Sequence, residues 1–389
     1  MTPAARIQAA IEILDDILGG RPAEQALTSW ARRSRYAGSK DRAAIRDHVF
    51  DALRARRSLA ARGGAVTGRG LMIGLLRAQG QEISSFFTGD RHAPDALSEA
   101  EQAAGRNPEP GAEASDIPDW LWPEFTASLG ESAEAAGRIM QRRAPLHLRA
   151  NLLKTDRQTA ISLLAEDGVV AQPHPACATA MEVVEGARKV AQTRAYQQGM
   201  VELQDAASQA IAERVPLRSG LRVLDFCAGG GGKTLALAAR VRGEILAHDA
   251  APQRMRDLPA RATRAGAQVR LVATDVVERE APFDLILADV PCSGSGSWRR
   301  APDGKWLLTP ERLLELTRIQ SAILRTVSGL VATGGQVAYA TCSMLRVENN
   351  NIVEQFLSEN PGWKQDDRAQ WTVLDGTDGF FLSVLTRVA

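Results

Sequence analysis

The sequence predicts a three-part chain whose main body is an α/β domain built on a parallel, doubly wound sheet. Three observations carry that expectation. From Gly199 onward, strand-like apolar runs (Arg222 to Phe226, Glu244 to His248, Arg270 to Ala273, Leu285 to Ala288, Gln336 to Tyr339) alternate with helical stretches. The first run feeds a glycine loop, Cys227-Ala228-Gly229-Gly230-Gly231-Gly232-Lys233, which opens a helix from Leu235 to Arg240. Residues 5 to about 90, by contrast, show apolar positions only at helical spacing. At 389 residues the chain exceeds one ordinary core, so separate domains are expected.

The helical section reads Ile7, Ile11, Leu14 and Leu18, then Ile45, Val49 and Leu53, then Leu71, Leu75 and Leu76. Asp41 can cap one helix running from Arg42 to about Arg62, ended by Gly63-Gly64. Residues 89 to 116 are rich in Pro, Gly, Ala and acids, the composition of a linker. Beyond it come a helix from Trp120 to Ala135, a strand from His147 to Leu153, a helix from Asp156 to Glu166, and strands near Val169 and Val183. The expected domains are therefore 1–115, helical with an acidic linker; 116–198, a small α/β module; and 199–389, the doubly wound sheet.

Hydrophobic residues at 44% and charged residues at 24% fit a folded globular protein and exclude wholesale disorder. Apolar runs are short and acids follow closely on the N-terminus, so neither a signal sequence nor a membrane span is expected and the chain reads as cytoplasmic. Cys177, Cys227, Cys292 and Cys342 stand far apart, without the spacing of a disulfide framework or a metal knuckle, and no metal is expected. Cys177 and Cys227 read as packing residues, Cys227 with a share in shaping the loop. Net charge is only +1, yet six of the 47 basic residues are Lys and the other 41 Arg. Arg pairs bidentately with phosphate, and a GC-rich genome gives the same bias. Ten basic residues against three acids between 29 and 62, Arg42 and Arg46 among them, form a candidate phosphate-facing stripe; the alternative is a solvated face balanced by the acids of 93 to 134.

Four glycines let a ligand approach the loop backbone at a helix N-terminus. Gly232-Lys233-Thr234 supplies half of a phosphate-binding P-loop, but Cys227 stands where that motif requires its first glycine. Acids at the following strand ends favour a nucleoside-like ligand instead: Asp225, Asp249 where a carboxylate can take ribose hydroxyls, Asp275 and Asp289. Cys292, in Asp289-Val290-Pro291-Cys292-Ser293, and Cys342, in Thr341-Cys342-Ser343, fall at the same carboxyl edge. A thiolate adding to C6 of a pyrimidine makes C5 nucleophilic, and S-adenosylmethionine on the glycine loop can then give its methyl group to C5.

These motifs, with Arg299-Arg300-Ala301-Pro302-Asp303-Gly304-Lys305-Trp306, Glu348-Asn349, Asp378-Gly379-Phe380-Phe381, Leu148 to Asp156 and Gln204 to Gln209, resemble the Sun-type, RsmB-like RNA cytosine-5 methyltransferases over residues 117 to 389. The resemblance implies a Rossmann-like S-adenosylmethionine-dependent domain in which Cys342 attacks C6 and Cys292 assists product release. That assignment comes from the resemblance and not from spacing, which alone points to Cys292, since DNA cytosine methyltransferases use the Pro-Cys thiol as nucleophile. It further implies cofactor contacts from Cys227 to Lys233, Asp249 at the ribose, Asp275 near the adenine and Asp289 near the methionine end and target base. Structured RNA is the implied partner, 16S ribosomal RNA first and transfer RNA as the competitor, with a monomeric enzyme and no membrane. Arg299, Arg300 and Lys305 are candidate RNA contacts, and Trp306 reads as core more than as a base-stacking ring. The helical section resembles a NusB-like RNA-binding domain, through Gly38-Ser39-Lys40-Asp41-Arg42 and the Arg-rich helix after it. Gly229 and Gly230 replace the family's Ala and Pro, which predicts a more flexible loop; Arg346 and Asn350 also depart from the pattern and remove no reactive group. A non-catalytic RNA-binding assembly factor that keeps the fold is the rival reading, and the intact cysteine pair argues against it.

Overall fold

The computed structural model describes residues 1–388, which pack as two compact units. The first holds Met1–Arg143 together with Trp298–Leu308; the second holds Ala144–Ser297 and the chain from Thr309 onward. Residues 117–143 thus pack with the helical section, and a short piece from far along the chain joins them.

In the first unit, α1 (Pro3–Leu18), α2 (Ala23–Arg33), α3 (Ser39–Arg54), α4 (Arg56–Gly63) and α5 (Gly68–Ala78) bury the apolar residues that the helical spacing selects, including Ile7, Leu14, Ile45, Val49, Leu53 and Leu71. The single rod expected from Arg42 to Arg62 is two helices. Gly38 is the N-cap, with Asp41 reaching back to its N–H at 3.3 Å, and Ala55 breaks the rod. An interruption leaves N–H and C=O groups without intrahelical partners. Here Asp116 accepts from the Arg57 and Ser58 N–H groups at 2.7 and 3.0 Å, while Trp306 Nε1 and Lys305 Nζ donate to the carbonyls of Leu53 and Arg54 at 2.7 and 3.2 Å. The acidic stretch is likewise no loose linker: a short helix, Glu99–Ala103, pairs with Arg69 at 2.6 Å, and Arg77 donates to the Glu101 carbonyl at 2.6 Å. The helix expected at 120 to 135 is also divided, into Trp122–Leu129 and Ala133–Met140.

Glycine brings α4 and α5 into backbone contact. A Cβ at Gly74 would stand 2.0 Å from the Leu59 carbonyl oxygen, which cannot be relieved by a rotamer change. Gly74→Ala is expected to destabilise the protein by about 2 kcal/mol despite alanine's better helix propensity. Denaturant unfolding checks this, and a variant as stable as the parent would show that the helices can part without cost.

The second unit carries two sheets. The smaller is antiparallel in the order β2-β3-β1-β4, from β1 (Leu146–Ala150), β2 (Val170–Pro173), β3 (Ala180–Glu185) and β4 (Val201–Leu203). The larger runs β10-β11-β9-β8-β5-β6-β7, from β5 (Arg222–Asp225), β6 (Glu244–Ala247), β7 (Arg270–Leu271), β8 (Phe283–Asp289), β9 (Val331–Thr341), β10 (Trp363–Trp371) and β11 (Phe380–Arg387). Strands β9, β8, β5, β6 and β7 are parallel; β11 pairs antiparallel with β9, and β10 antiparallel with β11. Strand order reverses between β5 and β8, and at such a point the strand carboxyl ends diverge into a crevice. Asn151, donating to the Ala265 carbonyl at 2.8 Å, and Arg149, donating to the Gly232 carbonyl at 2.8 Å, fasten the smaller sheet beside that crevice.

Candidate active site

The crevice is lined by the glycine loop, Asp225, Asp289, Gln204, Ser208 and Arg254. Gly229 (φ 52°) and Gly231 (φ 81°) hold left-handed conformations that favour glycine, and Gly231 caps the helix Gly232–Ala238, which starts earlier than the expected Leu235. Asp249 braces the loop: one carboxylate oxygen accepts from the Gly229 N–H at 2.9 Å and from Arg254 at 3.1 Å, the other from the Ala251 N–H at 2.9 Å. Asp275 is not among the lining residues. It lies in the short helix Thr274–Glu280, its side chain is 78% exposed, and it pairs with Arg279.

Lys233 and Asp289 form an ion pair at 2.7 Å, with the ammonium 4.8 Å above the Phe380 ring. Burial works against the Lys233 charge, but Asp289 more than offsets it and holds the ammonium above its ordinary range. Asp225 is fully buried; it accepts from the Thr234 hydroxyl at 2.6 Å through one oxygen, and its other oxygen has no partner. Burial, reinforced by Asp289, pushes its carboxyl up to about 7. The folded state thus binds a proton that the unfolded chain releases near pH 4, so this contribution to stability is present below about 4 and is lost as pH rises through about 7. The cofactor-free protein is expected to lose on the order of 4 kcal/mol from this group across that window. Asp225→Asn keeps the acceptor for Thr234 and should flatten the slope; thermal melts from pH 4 to 8 check it, and equal slopes would show that Asp225 does not titrate there.

The two cysteines meet. Asp289 pairs with Ala340 in the β8–β9 ladder, and the matched exits bring Cys292 Sγ and Cys342 Sγ to 3.2 Å. The hydrogen bond with Cys342, then burial, push the Cys292 thiol well above its ordinary value. Cys227 lines the crevice with a thiol also raised by burial, whereas Cys177 is buried against Thr179 and Gln209, as expected of a packing residue.

The basic candidates are distributed otherwise than their spacing suggested. Arg299 and Lys305 are 4% and 1% exposed and belong to the helical unit, where Arg54 bonds the Arg299 carbonyl at 2.7 Å. Burial pulls the Lys305 ammonium down to about 8. Buried side chains cannot grip an RNA backbone, so these two anchor their segment; Arg300 is exposed in the same segment. Trp306 is half-buried, as a structural ring. The stripe from 29 to 62 is not one free face: Arg54 is buried, Arg57 pairs with Asp119, Arg46 is bidentate to Glu24, and Arg42 bonds the Ala37 carbonyl. Sequence spacing missed a concavity of about 540 Å³ in this unit, lined by Arg62, Arg138, Arg142 and Arg143, because those residues converge only through helix packing. No helix among the described residues is long and apolar enough to cross a membrane, and no three or more of their His, Cys, Asp and Glu side chains cluster as metal ligands do.

A family model described as 16S rRNA methyltransferase RsmB/F matches residues 215–383, and one for the RsmF/B-like ferredoxin-like domain matches 117–190. The ribosomal RNA small subunit methyltransferase B of Xylella fastidiosa (strain 9a5c) is 34% identical over 288 residues, covering 69% of this chain and 68% of that protein. The chain belongs to the RsmB/F methyltransferase family. Another relative of this RsmB/F chain is the probable ribosomal RNA small subunit methyltransferase B of Bacillus subtilis (strain 168), 31% identical over 293 residues; the match covers 68% of this chain and 65% of that protein. In fold, the chain matches the crystal structure of PH0851 with a TM-score of 0.76 at 23% identity, over 99% of both chains. It also matches a methyltransferase homologue from Pyrococcus horikoshii with a TM-score of 0.62 at 22% identity, over 70% of this chain and 96% of that one.

S-adenosylmethionine is the cofactor of this RsmB/F fold, and the residues present suit it. A Cβ at Gly229 or Gly230 would stand 3.2 Å from an arginine nitrogen and narrow the cradle. The carboxylates of Asp225, Asp249 and Asp289 suit a ligand carrying hydroxyls and positive charge.

Proposed function

We propose that this chain methylates C5 of a cytidine in structured RNA, small-subunit ribosomal RNA first, through a covalent bond between Cys342 and C6 of the base. The observation that carries the reading is the pair of thiols 3.2 Å apart at neighbouring strand ends, next to the crevice that suits the methyl donor. The roles within the pair, Cys342 as nucleophile and Cys292 as the group that assists release, follow the family resemblance, and the hydrogen bond with Cys342 and burial that raise the Cys292 thiol are in line with them. Addition of the Cys342 thiolate to C6 shifts the C5–C6 electron pair onto C5. The bound cofactor supplies the methyl group that C5 takes up. Once Cys342 has become a neutral thioether, its own hydrogen bond and charge no longer raise Cys292. Cys292 then gives its proton to water and takes up the C5 proton, and the C5–H electron pair re-forms the C5–C6 double bond and expels the Cys342 thiolate. Lys233 and Asp289 hold a fixed charge pair at the mouth of this chemistry.

The RNA assignment draws on the names of the relatives and on the arginine-lined concavity, which suits phosphate. Bisulfite sequencing of total RNA with and without this gene tests the reading. One cytidine is expected to lose protection without the gene and to regain it with the parent protein but not with Cys342→Ala. The protected position also tells ribosomal from transfer RNA, and no change at any cytidine would overturn the proposal.

A further inference from the structure

Glu348 is fully buried in the turn Arg346–Glu348 after β9 and takes no part in the chemistry proposed above. Its carboxylate accepts four hydrogen bonds. One oxygen takes the Ser293 N–H at 2.7 Å and Gln320 Nε2 at 3.0 Å; the other takes the Ser293 and Ser343 hydroxyls, each at 2.5 Å. Ser293 follows Cys292 and Ser343 follows Cys342, so one carboxylate holds the residue next to each thiol. Gln320 also donates to the Pro291 carbonyl at 2.9 Å, just before Cys292, and the Tyr339 hydroxyl donates to the Glu348 carbonyl at 2.7 Å. The turn is thus fixed to β9, and both cysteine exits are fixed to the turn.

We infer that Glu348 is a positioning residue that sets the sulphur–sulphur spacing of Cys292 and Cys342. Its bearing on catalysis rests on the two-thiol reading above, whereas the spacing itself does not. A buried carboxylate persists only where donors compensate its lost hydration, and here three of the four donors come from the residues next to the cysteines, while the fourth, Gln320, also holds the Pro291 carbonyl before Cys292. Glutamine can replace it: its carbonyl oxygen keeps the two N–H donors, its amide faces the serines, and their hydroxyls can turn to accept. Aspartate keeps the charge but is one methylene too short to reach both serines.

The test uses the full chain and diamide, which turns two adjacent thiols into a disulfide while its N=N bond takes up their two electrons and two protons. Mass spectrometry of the peptides carrying Cys292 and Cys342 gives the rate of cross-linking. Glu348→Gln is expected within about 2-fold of the parent, Ser293→Ala about 3- to 10-fold slower, and Glu348→Asp at least about 10-fold slower, given the worth of one or more buried hydrogen bonds. Ser293→Ala leaves the buried carboxylate and its N–H partners in place, so the test does not depend on how well the aspartate variant folds. Equal or faster rates in Ser293→Ala and Glu348→Asp, or a glutamine variant as slow as the aspartate one, would overturn the inference.

With RNA and cofactor present, Glu348→Asp should accumulate covalent RNA–protein adduct as Cys292→Ala does, while Glu348→Gln should not. A general loss of structure would lower adduct formation and release together, which would count against positioning. If no variant forms adduct, Cys292→Ala included, while the cross-linking order holds, the methylation chemistry falls and the positioning role stands.

Discussion

Cys342→Ala is expected to lower methyl transfer to RNA by on the order of 10⁴-fold or more, because the C5 carbon of cytosine is inert until a nucleophile adds at C6. Cys292→Ala is expected to behave differently: the adduct forms and is methylated once, but the group that takes up the C5 proton is gone, so protein stays bound to RNA. The prediction is sharp because the sulphurs are only 3.2 Å apart and either could be the nucleophile by position. Denaturing gels with labelled RNA and cofactor check it. Adduct should persist with Cys292→Ala and be absent with Cys342→Ala and with the double variant; the reverse pattern would exchange the two roles.

Lys233→Met is expected to be the most damaging change that leaves both thiols in place. The ammonium is buried against Asp289 at 2.7 Å, and Asp225 stands near enough to add its own field to both. Removing the cation leaves a partly buried carboxylate uncompensated beside a second acid, at a cost of about 3 kcal/mol. Activity should fall as well, by roughly 100-fold or more, because the fixed charge at the strand ends is lost. A double-mutant cycle with Asp289→Asn separates the terms. The double variant should recover part of the lost stability, since no unpaired charge remains, and it should recover no activity. Strictly additive stabilities would show that the pair is not coupled.

Much of this arrangement was legible in the residues because it depends on short-range patterns. The strand-loop-helix run around Asp225, the alternation that makes a parallel sheet and the Pro-Cys and Thr-Cys exits are all written within a dozen residues of one another. Periodicity likewise selected the buried positions of the helical unit. It failed where a distant group overrides a local tendency. The Arg42 to Arg62 rod breaks at Ala55 because Asp116, Lys305 and Trp306 serve the peptide groups exposed at the break. Helical spacing cannot register partners that arrive from elsewhere in the chain. The same limit made Arg299 and Lys305 look like surface cations, although each is buried in the helical unit.

By itself, the sequence determined the kind of sheet, the loop that suits the cofactor and the presence of two thiols at its edge, since each follows from backbone propensity and the order of strands along the chain. Only the tertiary structure decided the 3.2 Å spacing of those thiols, the raised proton affinity of Cys292 and the four-donor grip of Glu348. Those depend on parallel register, burial and hydrogen bonds that close across tens of residues. Proton affinity and distance are properties of an environment, and an environment exists only once the chain has folded around it.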